Sequence, residues 1–474
     1  MGRLTAEISF QRSDSDSETS CTGYAFLPSA GYRVLVFTTA VDCVNDLFAA
    51  RLQMAISLGF HIIFAEIGIA MPLMMVIAEW RWRRTGDAAF LQLAKRWANG
   101  TAVLFAVGAV SGTVLSFELG LLWPGFMRLA GPLIGMPFSL EGFAFFLEAI
   151  FLGVYLYGWD RVRPKVHLAA GIIVAASGAA SAVFVVMVNA WMNTPTGYSL
   201  DSGGHLVDID PIAAMQSPAA FQQALHMLLA AYAATGLAVA GVHAFMLLRG
   251  ASPVFHRRAL AIALAVGGPA AVLQPISGDI SARVVALTQP VKLAALEAQW
   301  KTERGAPIRI GGWPDAAREQ TRWALEIPYG LSLLAFHDPG AVVKGLQSVE
   351  ASDRPPVAVV HLAFQAMVGL GTTMALVALW AGWVAWRRRD VAASRRVLRA
   401  LVVIAPFGFI ATEAGWIVTE VGRQPWVVQG LMRTSDAVTP MPGLIVPMVI
   451  FTLLYVGLGA IVVALIASLV RETR

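Results

Sequence analysis

Long apolar runs alternate with short polar breaks through most of this chain. Nine runs approach or exceed the roughly 20 residues that cross a hydrocarbon layer as a helix. They cover Leu52–Trp80, Trp97–Leu122, Pro137–Gly158, Val166–Trp191, Phe221–Leu248, Ala259–Ile276, Val357–Trp386, Leu398–Thr419 and Met441–Val470. The pattern predicts an all-α integral membrane protein with about nine transmembrane helices. One break is long: residues 278–356 turn polar, yet keep apolar stretches such as LAALEAQW and ALEIPYGLSLLAF. Loops of that length are commonly functional, so this one reads as a partly folded substrate-binding segment.

The basic residues divide by loop. Arg81, Arg83, Arg84, Lys95 and Arg96 follow the first run, and Arg161, Arg163 and Lys165 the third. Arg249, Arg257 and Arg258 follow the fifth, and six arginines between Arg387 and Arg399 the seventh, while Arg471 and Arg474 end the chain. The alternate short loops hold little beyond Arg128, Arg423 and Arg433. By the positive-inside rule the N-terminus is outside and the C-terminus cytoplasmic, which requires an odd number of spans.

Composition changes the picture only by exclusion. The chain of 474 residues is 57% hydrophobic and 14% charged, where a soluble domain averages roughly 25% charged. A net charge of +5 could suggest nucleic acid, but basic groups gathered at the ends of apolar runs mark a membrane protein that binds none. Cys21 and Cys43 lack metal-ligand spacing, and a disulfide between them is compatible with the sequence. Residues 1–48 form an N-terminal extension whose RSDSDSETS stretch reads as disordered. An acidic serine-rich segment before the modest apolar run near Val34 is not a signal-peptide pattern.

Ionisable groups inside hydrocarbon cost at least roughly 2.5–3.5 kcal/mol each on insertion scales, so each needs a reason. The runs contain His61 and Glu66 in the first, Glu141 and Glu148 in the third, His226 and His243 in the fifth, and Glu413 and Glu420 in the eighth. On the predicted topology His61, Glu141, His226, Met367 and Glu420 share one layer near the outer face. Imidazole, thioether and carboxylate can all ligate haem iron, and a His/Met pair suits a low-spin haem. Glu141 and Glu148 are two turns apart on one face, about 10.5 Å along the axis, as a proton relay would be. Blander readings compete: an intramembrane histidine also serves as a helix–helix hydrogen-bond partner, and methionine commonly fills core gaps. His167, His243 and His256 fall near the cytoplasmic boundary and read as interfacial; His205, His337 and His361 read as solvated.

At these residues the sequence resembles the large subunit of cytochrome bd-type quinol oxidases, within them the cyanide-insensitive branch with a short quinol loop. The resemblance runs over residues 49–474 and rests on ordered motifs. RLQMAISLGFH (Arg51–His61) ends in the family's high-spin haem histidine. LEGFAFFLE (Leu140–Glu148) supplies a glutamate at the haem d site and one on the proton path. GWDR (Gly158–Arg161) and NAWMNTP (Asn189–Pro195) follow in order. His226 in LHMLLAAY and Met367 in FQAMVG stand where the low-spin haem b ligands stand. KLAALE (Lys292–Glu297) resembles the quinol-loop motif, and GRQPW (Gly422–Trp426) follows Glu420, the counterpart of a high-spin haem b ligand. Gln365 departs from the pattern, since many relatives carry arginine there.

The resemblance implies a quinol:oxygen oxidoreductase in the bacterial inner membrane. Its cofactors would be a low-spin haem b, a high-spin haem b, and haem d or a third haem b. Metal ligands would be His61, Glu141, His226, Met367 and Glu420, with Arg423 and Trp426 beside the cofactors. Lys292 and Glu297 would act on quinol, and Glu141 and Glu148 would carry protons to oxygen, giving a membrane potential without a pump. Implied partners are a subunit II, a small accessory subunit and membrane lipid. The rival class is an ion-coupled transporter, which intramembrane Glu and His also suit; against it stand the lack of a repeat and a ligand tier away from the midplane.

Overall fold

A computed structural model describes residues 45–471. The expectations for Cys21, Cys43, the RSDSDSETS stretch, the run near Val34, most of the 1–48 extension and Arg474 lie outside the described residues. Nine helices within them are long and apolar enough to cross a membrane, as the run pattern predicts. They are α1 (Asp46–Thr85), α2 (Ala88–Leu122), α3 (Pro124–Tyr157), α4 (Pro164–Asn193), α6 (Ala220–Leu248), α7 (Pro253–Thr288), α10 (Val357–Arg388), α11 (Arg395–Ile404) continued by α12 (Phe407–Val421), and α14 (Ile445–Arg471). Short helices fill the connections: α5 (Pro211–Met215), α8 (Pro290–Leu296), α9 (Gly330–Phe336) and α13 (Thr434–Ala437).

The spans start where local chemistry allows. The Asn45 and Asp87 side chains cap α1 and α2 by accepting from Leu47 and Ala89 N–H, each satisfying an otherwise orphan donor. Proline opens α3, α4 and α7, where its missing N–H costs nothing. Hydropathy alone placed several starts too late, α1 at Leu52 instead of Asp46 among them. α2 begins at Ala88 rather than Trp97, because its first turns are amphipathic and carry Lys95 and Arg96. α3 begins at Pro124 and runs through Pro132 and Pro137, since neighbouring helices make internal prolines tolerable in membranes. α7 begins at Pro253 and continues to Thr288. The polar loop therefore opens at Gln289, not at residue 278. The eighth span is split at Ala405–Pro406, where proline interrupts the hydrogen-bond ladder.

The helices bury two apolar cores at opposite ends of the bundle. One, at the end bearing the arginine-rich loops, is built on Met74, Met75, Leu93, Leu237, Leu260 and Leu401. The other joins Leu122, Phe126, Leu133, Ile134, Trp191 and Val428. Small residues bring the backbones close: a Cβ on Gly236 of α6 would stand 2.6 Å from the Gly267 Cα of α7, the approach that drives helix association in lipid.

The loop is folded, as the sequence predicts. Two-stranded antiparallel pairs join residues 303–304 to 342–343, 308–310 to 325–327 and 313–315 to 320–322. A third core of Ala294, Ala295, Leu296, Trp300, Leu346 and Val360 seats α8 against α10.

Candidate functional site: a polar seam between two apolar cores

Every candidate ligand falls in the stretch of its helix that joins neither main core. On α1 the end core takes Ala49 and Ala50 and the other begins at Met71; Gln53, Ser57, His61 and Glu66 lie between. Met367 lies between Val360 and Met374 on α10, and Glu141 and Glu148 between Phe138 and Tyr155 on α3. The polar residues share one seam across the bundle because the flanking turns are committed to apolar packing.

Two histidines are oriented from behind. His61 Nδ1 lies 2.9 Å from Ser111 Oγ of α2, while that hydroxyl donates to the Val107 or Gly108 carbonyl. The imidazole must then donate from Nδ1, which leaves Nε2 with a free lone pair. His226 repeats the arrangement on α7: Nδ1 is 2.8 Å from Ser277 Oγ, and Ser277 donates to the Gln274 carbonyl. In that tautomer the Gln274 amide donates to His226 Nε2 at 3.1 Å. Met367 faces α12, where its Sδ fills the space beside Gly415; a Cβ there would sit 3.1 Å away.

Glu420 is the centre of the most connected group. Its Oε2 accepts from Arg423 Nη2 at 2.6 Å and its Oε1 from Asn189 Nδ2 of α4. Asn193, one turn on, donates to the Asn189 carbonyl and side chain and accepts from Lys292 Nζ at 2.9 Å. Lys292 also donates to the Thr419 carbonyl. A continuous chain of bonds thus runs from the lysine of α8 to Glu420 and Arg423. Asn189 and Asn193 belong to the NAWMNTP motif, but a bonding role was not legible in the sequence: α4 and α12 are more than 200 residues apart.

Lys292 and Glu297, outside the spans, are 5% and 4% exposed. Burial, with Arg423 nearby and opposed by Glu420, lowers the Lys292 ammonium to about 7. Burial raises Glu297 to about 7 against the opposing charge of Arg309. Both groups are therefore poised to exchange protons near neutrality. The segment is pinned from α10: His361 bridges the Leu296 and Gly311 carbonyls, and Gln365 accepts from Gly311 N–H and donates to the Arg309 carbonyl. Gln365, where arginine was the alternative, is thus a strut of the loop. His361 is fully buried rather than solvated.

Three other histidines differ from their interfacial reading. His167 is sealed between Glu79 and the Tyr155 carbonyl, and His243 is buried against His256 with Nδ1 atoms 2.8 Å apart. At 40, 30, 29 and 36 residues, α1, α4, α6 and α7 are longer than the roughly 20 residues that cross hydrocarbon, and polar groups near their ends pack inside protein. Glu118 was also missed; buried on α2, it accepts from Gln53 and Ser57 at 2.9 Å. Among the remaining candidates, Glu141 accepts from Ser181 of α4 at 3.2 Å, Glu148 is buried against Gly178 of α4, and Trp426 lies under the Arg433 guanidinium.

Such a fold, a multi-pass bundle with iron-competent donors along one seam and a buried acid–base pair under a folded loop, defines a membrane redox protein rather than a carrier. The chain belongs to the family of cytochrome bd terminal oxidase subunit I, whose model matches residues 49–474. It is similar to the bd oxidase structure from Geobacillus thermodenitrificans, at 39% identity and a TM-score of 0.84 over 90% of this chain and 99% of that one. A Bacillus subtilis protein bearing the name cytochrome bd menaquinol oxidase subunit I is 38% identical over 90% of this chain and 97% of its own length. The cytochrome bd ubiquinol oxidase subunit 1 of the same organism is 32% identical over 91% and 94%. Membership makes this chain a subunit of a quinol:oxygen oxidoreductase that works with haem and a second subunit.

The donor set fits haem. His61 and His226 each present an unprotonated Nε2 into the seam. Arg423, 2% exposed, leaves Nε and Nη1 without partners, and buried guanidinium donors so orphaned call for an anion such as a propionate.

Proposed function

We propose that this chain, from residue 49 onward, binds three haems in the seam, oxidises quinol at the loop of residues 289–356 and supplies protons to oxygen from the opposite side. The bonded chain Lys292–Asn193–Asn189–Glu420–Arg423 carries the reading. It ties a buried lysine of the loop to a carboxylate in the ligand tier, a connection that a transporter would not need.

His226 Nε2 and Met367 Sδ hold the low-spin haem b; binding requires the Gln274 amide to release that nitrogen. His61, Glu141 and Glu420 hold a high-spin haem b and a third group, haem d or another haem b, with Arg423 and Trp426 flanking them. When bound, these groups conduct electrons from quinol and reduce oxygen to water. The protein residues do the rest. Glu297 takes a proton from quinol, and Lys292 donates to the quinol oxygen. Glu148 passes protons to Glu141 along α3, where Ser181 orients the receiving carboxyl. The basic loops put the N-terminus outside and the C-terminus in the cytoplasm of a bacterial inner membrane. Quinol protons then leave on one side while oxygen's protons come from the other, which builds a potential without pumping. Subunit II, a small accessory subunit and lipid cover the exposed apolar faces, and the short loop favours the cyanide-insensitive branch.

A reduced-minus-oxidised spectrum of the assembled complex, with and without carbon monoxide, tests the assignment. Low-spin haem b bands with a far-red band moved by carbon monoxide support it and identify haem d. Haem b bands alone, still responsive to carbon monoxide, place a third haem b there. No haem absorbance in a folded, assembled complex refutes the proposal.

A further inference from the structure

Two inner acids stand outside the machinery just described. Glu413 of α12 precedes Glu420 by seven residues, the spacing that separates Glu148 from Glu141 on α3, two turns along one face. Glu66 of α1 lies five residues beyond His61. Because α12 runs opposite to α1 and α3, Glu66, Glu148 and Glu413 all lie on the same side of the ligand tier.

The surroundings of the pair are unusual. Glu66 is 4% exposed, and both carboxyl oxygens are sealed with only the Thr412 side chain as a hydrogen-bonding neighbour. Glu413 Oε1 is likewise sealed, and it is unpartnered. Its Oε2 is not sealed, and it fills the space beside Gly59, where a Cβ would stand 3.2 Å away. The polar groups facing Glu66 are Thr412 and Glu413 of α12 and Thr235 of α6, whose hydroxyl donates to the Glu66 carbonyl at 3.1 Å. Among the described residues no lysine, arginine or histidine pairs with either carboxyl.

Two buried carboxylates on neighbouring helices, with no cation paired to either, cannot both stay charged in apolar surroundings. An unpaired buried carboxylate would also cost several kcal/mol of lost solvation. We propose that Glu66 and Glu413 form a proton-holding carboxyl pair beneath Glu420, separate from the Glu148–Glu141 row. Glu66 is the sealed store. Glu413 is the member with an open oxygen, turned toward the space beside Gly59, two residues from His61. In transfer, the O–H bond on Glu66 breaks as one forms on Glu413, and the negative charge moves the opposite way until bulk water returns a proton. The tier beneath Glu420 thereby has its own source of compensating charge. Where the proton is delivered rests on the oxidase reading; the protonation of the pair does not.

The test is infrared spectroscopy of the assembled complex with subunit II, comparing Glu66→Gln, Glu413→Gln, Glu413→Asp and Glu148→Gln. In the oxidised wild type a carboxylic-acid carbonyl band sensitive to deuterium oxide is expected, and on reduction it should shift or lose intensity. Glu66→Gln should abolish that component, and Glu413→Gln should shift it. Glu413→Asp should move it, and Glu148→Gln should leave it in place. A band untouched by both glutamine variants and by Glu413→Asp overturns the pair. The same holds for a band lost only in Glu148→Gln. Should a glutamine variant fail to assemble, Glu413→Asp still decides, because the proposal requires the band to move. A complex devoid of haem that keeps the band would defeat the oxidase proposal and leave the pair standing.

Discussion

Glu297 allows the quinol-side chemistry to be tested on a single atom's proton. The residue is buried, with Oε2 unpartnered, and burial raises its carboxyl from 4.5 to about 7 despite Arg309. At about 1.36 kcal/mol per pH unit, that displacement is worth about 3.4 kcal/mol. A base of this strength is mostly protonated at about pH 6 and mostly ionised at about pH 8, in each case roughly tenfold. Quinol oxidation, followed by oxygen consumption under subsaturating quinol, should therefore rise about tenfold across that interval. Glu297→Gln should erase this limb and lower the plateau by about 10²–10⁴. The sign for stability is opposite. The folded state holds the Glu297 proton more tightly than the unfolded chain, so between 4.5 and about 7 rising pH costs stability. Above that window the glutamine variant should resist heat better than the wild type, by up to the same few kcal/mol. Lys292 also titrates at about 7, so Lys292→Gln is the control and should keep a Glu297-dependent limb. An unchanged acidic limb in Glu297→Gln would refute the assignment of the base.

Further outcomes follow from the same geometry. Asn193→Leu removes the acceptor of Lys292 Nζ and the link to Asn189; outer-shell losses of this kind cost about 10–100-fold in activity, read as quinol turnover with haem content retained. Arg423→Leu strips the ion pair from a half-exposed Glu420 carboxylate; the high-spin haem signals should weaken while the low-spin bands persist. Met367→Leu should convert the low-spin spectrum to a high-spin, carbon monoxide-reactive one, and no spectral change would exclude Met367 as a ligand. Glu148→Gln should slow oxygen reduction with the low-spin bands intact; loss of that haem instead would count against the relay.

The spans were legible in one dimension, and the proposed ligands conspicuous there, because both rest on desolvation. An apolar run long enough to cross hydrocarbon has few alternatives to a helix, and a histidine or glutamate inside such a run is conspicuous at any helix orientation. Span starts were less legible. The first turns of α2 and α7 carry lysine, arginine and histidine, so hydropathy falls while the helix continues.

Pairing across the bundle was decided by tertiary structure alone. Nothing local marks Asn189 as the partner of Glu420, Ser111 as the support of His61, or Ser277 as that of His226. The buried state of His167 and His361 and the lack of a cation beside Glu66 were likewise invisible. Hydropathy is a property of each residue against solvent, and it survives any arrangement of the helices. A hydrogen bond is a relation between two positions at about 3 Å, and only the packing of the nine spans says which positions meet.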